Sequence, residues 1–281
     1  MGLWEGRVAI VTGAAQGIGL AVANRIFAEG GSVVLGDMQE KKLHAAAERL
    51  DRAGNRVLPF TLNVSNTESA GAMVKEATAK FGRIDALINV AGGSGSVIVE
   101  QIEDMSDDVW DSVIASNLRG TFVCSRAVVP AMKRAGSGAI INFATGSIRG
   151  FKGKSTSAAR LAYVSAKAGI IGFTNQLSQD LDGFNIAVNV IQPGFVLTEP
   201  GARIREIFES MPLEDRQAML ARRSPRTPEE LGWATTVLAA KSRSELTATC
   251  VRLSGPIASL NLKIVHDPEG QLASTAKLEA Y

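Results

Sequence analysis

Short apolar runs alternate along the chain with longer stretches in which apolar residues recur every three or four positions. Arg7-Val8-Ala9-Ile10-Val11-Thr12 lacks polar alternation, which predicts a strand buried on both faces. A helical pattern follows through Ile26, Phe27 and Glu29. Ser32-Val33-Val34-Leu35-Gly36 is the second strand, followed by a helix from Gln39 to Arg52. The third runs from Arg56 to Leu62, and Ser65-Asn66-Thr67-Glu68 reads as a capping box for a helix ending at Phe81. The fourth strand is Ala86-Leu87-Ile88-Asn89. From Ser106 a helical stretch continues, broken near Asn117, to about Arg134. Ala139 to Phe143 and Asn185 to Ile191 are strands on either side of a helical run from Tyr163 to Leu181. Thr227-Pro228-Glu229-Glu230 opens a later helix with Thr as N-cap, Pro at the first position and Glu at the third. Strands alternating with helices in this way predict an α/β fold: a doubly wound parallel sheet in three layers, α/β/α. No linker, repeat or low-complexity stretch divides the chain, so a single domain is expected.

Ligands of such sheets bind at the carboxyl ends of the strands. Gly13, Asp37, Asn63 and Ala91 all fall at those ends. Between the first strand and its helix lies Gly13-Ala14-Ala15-Gln16-Gly17-Ile18-Gly19. Glycines there let the backbone approach a phosphate, and the free N–H groups of the helix start point at the anion. Asp37 ends the second strand, where a carboxylate accepts hydrogen bonds from an adenosine ribose and repels a 2′-phosphate. No arginine occupies the glycine turn or the Met38 position, so NAD is expected over NADP. The plain alternative is a strand-end aspartate capping the next helix.

Tyr163 and Lys167 stand four apart, on one face of a helix. An ammonium beside a phenol favours the phenolate and draws the phenol pKa down from about 10. A phenol tuned in this way gives or takes a proton at an alcohol or carbonyl oxygen.

Composition narrows the classes. The chain has 281 residues, 46% hydrophobic and 21% charged, with a net charge of +2, which points to no nucleic acid and no acidic membrane as partner. Cys124 and Cys250 sit among apolar or small neighbours and read as buried thiols of a reducing compartment. His44 and His266 are too far apart in sequence to suggest a metal cluster. The first residues lack a signal-peptide pattern, and no apolar run approaches the ~18 residues that span a membrane, so a cytoplasmic location is expected.

Thr12-Gly13-x-x-x-Gly17-x-Gly19, Asn89-x-Ala91-Gly92, Asn117, Tyr163-x-x-x-Lys167 and Pro193-Gly194 with Thr198 occur in an order that resembles the short-chain dehydrogenase/reductase family, over residues 7 to about 255. The resemblance implies a Rossmann-type domain over 1–255, an extension over 256–281 and an NAD-dependent oxidoreductase interconverting a secondary alcohol and a ketone. By this likeness Tyr163 is the general acid/base, Lys167 lowers its pKa and holds the nicotinamide ribose, and Asn117 positions a water in the proton relay. The implied cofactor contacts are Gly13, Gln16, Gly17, Ile18 and Gly19 at the phosphates, Asp37, Met38, Asn63 and Val64 at the adenosine end, and Asn89, Val90, Ala91 and Gly92 along the middle. Tyr163, Lys167, Pro193, Val196 and Thr198 complete the nicotinamide end, with the Val196 backbone and Thr198 at the carboxamide. A homo-oligomer, dimer or tetramer, is also implied.

Several features depart from the family pattern. The serine expected near the end of the fifth strand is replaced by Thr145 in strand register, with Ser147 the better match by motif shape; either hydroxyl could meet the substrate oxygen. Arg149, Lys152, Lys154 and Arg160 make a basic loop, read either as a solvated surface or as a seat for an anionic substrate group. Val90 replaces an asparagine. Residues from Glu199 to Arg226 read as a substrate lid with two short helices. Beyond Gly255-Pro256 the tail has three open fates: covering the mouth, reaching a neighbouring subunit or fraying. Two rival functions remain at this point: an NADPH-dependent ketone or 3-oxoacyl reductase, and a non-catalytic NAD-binding scaffold or sensor.

Overall fold

The computed structural model describes residues 2–95, 99, 101–149, 160–198, 203–222, 226–253, 260–264 and 276–278. The first half alternates β1 (Val8–Thr12), α1 (Gly17–Ala28), β2 (Ser32–Asp37), α2 (Glu40–Leu50), β3 (Val57–Thr61), α3 (Thr67–Phe81) and β4 (Ala86–Asn89). The second half carries α4 (Asp107–Ile114), α5 (Gly120–Ala135), β5 (Gly138–Phe143), α6 (Arg160–Asp180) and β6 (Ile186–Pro193). The helices α7 (Arg203–Ser210), α8 (Leu213–Arg222) and α9 (Pro228–Ala239) precede β7 (Cys250–Leu253), β8 (Leu260–Ile264) and β9 (Ala276–Leu278).

The sheet runs β3-β2-β1-β4-β5-β6-β7-β8-β9. It is parallel from β3 to β7, the Rossmann-type arrangement, with β1 and β4 side by side where the winding reverses. Period-two alternation explains why β1 is apolar throughout. Ala9 and Val11 enter the core beneath α1, α2 and α9, with Val22, Ile26, Leu43 and Leu231. Ile10, between them in sequence, enters the opposite core beneath α3 and α5, with Met73, Val123, Val128 and Met132. Each of the larger of these side chains, fully buried, stabilises the fold by roughly 1.5–3 kcal/mol. Pro59 lies in β3, at the edge of the sheet, where a residue without an N–H is tolerated.

One local expectation is corrected, and the tail adds two strands. The N-cap of α3 is Asn66, whose side chain accepts from Ser69 N at 2.8 Å; Ser65 instead turns its hydroxyl to Asn63 Oδ1 at 2.9 Å and caps nothing. In the tail, whose fate the sequence leaves open, β8 pairs antiparallel with β7 and β9 with β8, so these pieces extend the sheet. Backbone pairing along an edge needs no strong side-chain pattern, which is why the sequence hides it. The Thr227–Glu230 capping box is present as read, with Pro228 at the helix start. No helix among the described residues is long and apolar enough to cross a membrane.

Candidate active site

The glycine turn joins β1 to α1. Gly13 has φ +68°, and a Cβ there would lie 2.9 Å from Ala91 Cα; a Cβ on Gly19 would lie 2.1 Å from Gly13 O. Only glycines permit this close fold. Gln16, the N-cap of α1, makes no side-chain cap hydrogen bond, and the first turn carries no acidic residue. The helix start is therefore chemically suited to an anion.

Asp37 is half-buried beside this turn. Its Oδ2 accepts from Ala15 N at 3.1 Å and its Oδ1 from Gln39 N at 2.9 Å. The carboxylate thus both braces the glycine turn and holds the lead into α2. Met38 next to it is 67% exposed. Lys42 reaches back from the first turn of α2 to Gln16 Oε1 at 2.9 Å, a cation at the glycine turn that the sequence reading missed. The available signal was its place in the first helical turn, where long side chains lean towards the helix N-terminus. After β3, Asn63 Oδ1 accepts from Ser65 N at 3.1 Å, and Val64 is buried against Gly120.

Along the middle of the sheet, Ala91 N donates to Thr12 Oγ1 at 3.1 Å, tying the β4 end to the glycine turn. Asn89 turns inward: its Nδ2 donates to Asn142 Oδ1 at 2.9 Å and to Ser125 Oγ at 3.2 Å. Asn142 Nδ2 passes the chain on to Thr174 Oγ1 at 2.9 Å. Asn89 therefore locks β4, β5, α5 and α6 together beneath the site. Val90 is half-buried and packs on the core.

Asn117 lies in a π-helical turn (Ala115–Arg119) that joins α4 to α5, the break anticipated from sequence. Its Nδ2 donates to Gly93 O and to Val113 O, both at 2.8 Å, and clasps the glycine segment after β4. Its Oδ1 is buried with no hydrogen-bond partner, and a Cβ on Gly92 would lie 2.3 Å from it.

Tyr163 and Lys167 share a face of α6. Lys167 is 4% exposed, its Nζ donates to Phe143 O at 2.7 Å, and it lies 5.8 Å from the centroid of the Tyr163 ring. Burial pushes its pKa down to about 8. Burial also raises Tyr163, and a side-chain hydrogen bond with Thr145 opposes that rise. The depression of the phenol by Lys167 expected from sequence is not found: the pKa is raised, because losing water costs the phenolate more than Thr145 returns. Of the two hydroxyl candidates, Thr145 meets Tyr163, whereas Ser147 has entered a 3-10 turn and donates its backbone N–H to Thr145 Oγ1 at 3.3 Å.

At the far end, Pro193 closes β6. Val196 forms a parallel bridge with Arg226, with Arg226 N to Phe195 O at 2.8 Å and Leu197 N to Arg226 O at 3.0 Å. Arg226 is 3% exposed and its guanidinium lies 3.5 Å from the half-exposed Glu230 carboxylate. Arg205 Nε on α7 donates to Thr198 O at 2.7 Å, and the Phe195 and Phe208 rings lie 5.5 Å apart. The region read as a lid does hold two short helices, α7 and α8. In the basic loop, Arg160 opens α6 and burial lowers its pKa; Lys152, Lys154 and the Arg149 side chain lie outside the described residues.

The glycine turn, an uncapped helix start, a strand-end carboxylate and a Tyr–Lys pair at the carboxyl ends of a parallel sheet fit a dinucleotide-dependent oxidoreductase. A family model described as short chain dehydrogenase matches residues 7–207. The chain belongs to the short-chain dehydrogenase/reductase family. It is 32% identical over 255 residues to the 3-oxoacyl-(acyl-carrier-protein) reductase FabG of Thermotoga maritima, covering 89% of this chain and 97% of that protein. It is 36% identical over 256 residues to the short-chain reductase protein NovJ of Streptomyces niveus, covering 88% and 92%. It is 38% identical over 192 residues to the 2-dehydro-3-deoxy-L-rhamnonate dehydrogenase (NAD(+)) of a Sphingomonas species, covering 68% and 73%.

Proposed function

We propose that this oxidoreductase interconverts a ketone and a secondary alcohol, with reduction of a 3-oxoacyl-type ketone as the direction and substrate class that its relatives' names support best. The observation that carries the reading is the Tyr163–Lys167 pair on one face of α6, with Lys167 Nζ buried 5.8 Å from the centre of the phenol ring and fixed on Phe143 O at 2.7 Å. Tyr163, kept protonated by burial, donates its proton to the ketone oxygen. Thr145 shares that proton traffic and steadies the same oxygen. Lys167, anchored on Phe143 O, favours the phenolate that remains. Gly13 to Gly19 and the start of α1 would hold a pyrophosphate, Asp37 an adenosine ribose, and Val196 with Thr198 a carboxamide. A nicotinamide bound there supplies or accepts the hydride.

Asp37 supports NAD(H) as the preferred cofactor, because a carboxylate at the ribose repels a 2′-phosphate. An NADPH-dependent 3-oxoacyl reductase is the second reading, favoured by the reductases among the relatives. The non-catalytic scaffold gains no support from a phenol, hydroxyl and ammonium gathered at one strand end.

The test follows absorbance of the reduced dinucleotide with 3-oxoacyl thioesters and a panel of other ketones. Tyr163→Phe should keep NADH binding and lose roughly 100-fold or more in kcat, the share a general acid contributes. Undiminished turnover in that variant, or no turnover by a wild-type protein that binds NADH, defeats the proposal.

A further inference from the structure

Lys42 and Asp37 engage consecutive residues of the glycine turn. Asp37 Oδ2 takes Ala15 N at 3.1 Å, and Lys42 Nζ donates to Gln16 Oε1 at 2.9 Å. Gln16 is the N-cap of α1, yet its side chain serves Lys42 rather than the helix. Lys42 is exposed, and its neighbour Leu43 is buried, which fixes the backbone from which the lysine reaches. The Asp37 carboxylate, for its part, is already compensated: each oxygen accepts a backbone N–H, from Ala15 and from Gln39. The carboxylate keeps its charge, so a 2′-phosphate placed beside it needs a cation within reach to offset the repulsion.

We propose that Lys42 is a specificity-determining residue. It exchanges the neutral amide of Gln16 for the 2′-phosphate of NADP(H), so this chain accepts both dinucleotides while Asp37 sets the preference for the unphosphorylated one. The inference rests on the nicotinamide reading of the site. An ammonium gains more from a phosphate dianion than from a neutral amide oxygen, since hydrogen bonds between ionised partners are the stronger ones. The exchange needs only rotations within a flexible four-carbon side chain. The turn itself carries no basic residue, and the cation comes from α2 instead.

Fluorescence titrations of the full-length protein with NADH and with NADPH test this, using wild type, Lys42→Ala and Lys42→Glu at low and moderate salt. Wild type should bind both. The ratio of the NADPH to the NADH dissociation constant should rise roughly tenfold in Lys42→Ala, the worth of one charged hydrogen bond, and further in Lys42→Glu. Added salt should weaken NADPH more than NADH in wild type, and this difference should shrink in Lys42→Ala. NADH binding without NADPH binding in wild type overturns the inference, as does a ratio that neither variant moves. Failure of both dinucleotides to bind overturns the nicotinamide reading itself.

Discussion

Thr145 stands beside Tyr163, where its hydroxyl draws the phenol pKa down while burial, the larger effect, pushes it up. Thr145→Ala should therefore leave Tyr163 harder to ionise and strip one partner from the substrate oxygen. A loss of roughly 100-fold in kcat is expected, comparable to removing one oxyanion donor. Thr145→Ser should recover most of it, and Ser147→Ala should cost less than Thr145→Ala. Steady-state kinetics with a pH profile checks this, and an equal or larger loss in Ser147→Ala would reassign the substrate hydroxyl.

Lys167 sets a pH dependence whose sign is opposite to that of an ion-paired lysine. Its pKa falls from 10.5 to about 8 on folding, because burial penalises the ammonium. Below pH 8 the folded protein bears that full cost, on the order of 3 kcal/mol. As pH rises from 8 towards 10, the unfolded chain holds the proton more tightly than the folded one, and stability rises. Urea unfolding at several pH values should show this contribution in wild type and not in Lys167→Met. A difference curve that is flat between pH 8 and 10 would contradict it. In the reductive direction kcat should decline above about pH 8, as Lys167 loses the charge that favours the phenolate.

The glycine turn admits no side chain at Gly19, where a Cβ would lie 2.1 Å from Gly13 O. Gly19→Ala should lower stability by about 1–3 kcal/mol through overpacking. It should also weaken NADH binding, because Gly13 must move. Urea midpoints and fluorescence titration measure the two effects, and a variant with wild-type values for both would show the turn to be more pliant than its geometry.

Asn66 rather than Ser65 caps α3. Asn66→Ala should cost about 1 kcal/mol of stability, and Ser65→Ala clearly less. The comparison needs only thermal melts, and the reverse order would restore Ser65 as the cap.

Most of the frame was legible because it rests on periodicity. The apolar run from Val8 to Thr12 could only be a strand covered on both faces, and Ile10 and Val11 do enter opposite cores. The Tyr163–Lys167 face followed from helical spacing alone. What spacing could not show was which group wins a competition for contacts. Ser65 and Asn66 are both good caps, and the choice between them turns on the neighbouring Asn63. Thr145 and Ser147 differ by two residues, and spacing alone did not show that Ser147 enters a 3-10 turn and donates its backbone N–H to Thr145 Oγ1. The phenol pKa depends on lost water, which no one-dimensional pattern records. Lys42 at Gln16 and Arg226 at Val196 are contacts between segments far apart in sequence.

The π-helical turn at Ala115–Arg119 accommodates one residue more than a regular helix would. Deleting a single residue there should let α4 and α5 merge into one uninterrupted rod. The flanking helices would keep their register, because the wider turn is what absorbs the extra residue, but the widened turn itself would be lost. The Asn117 amide would swing off Gly93, so length in this short stretch is constrained as tightly as residue identity.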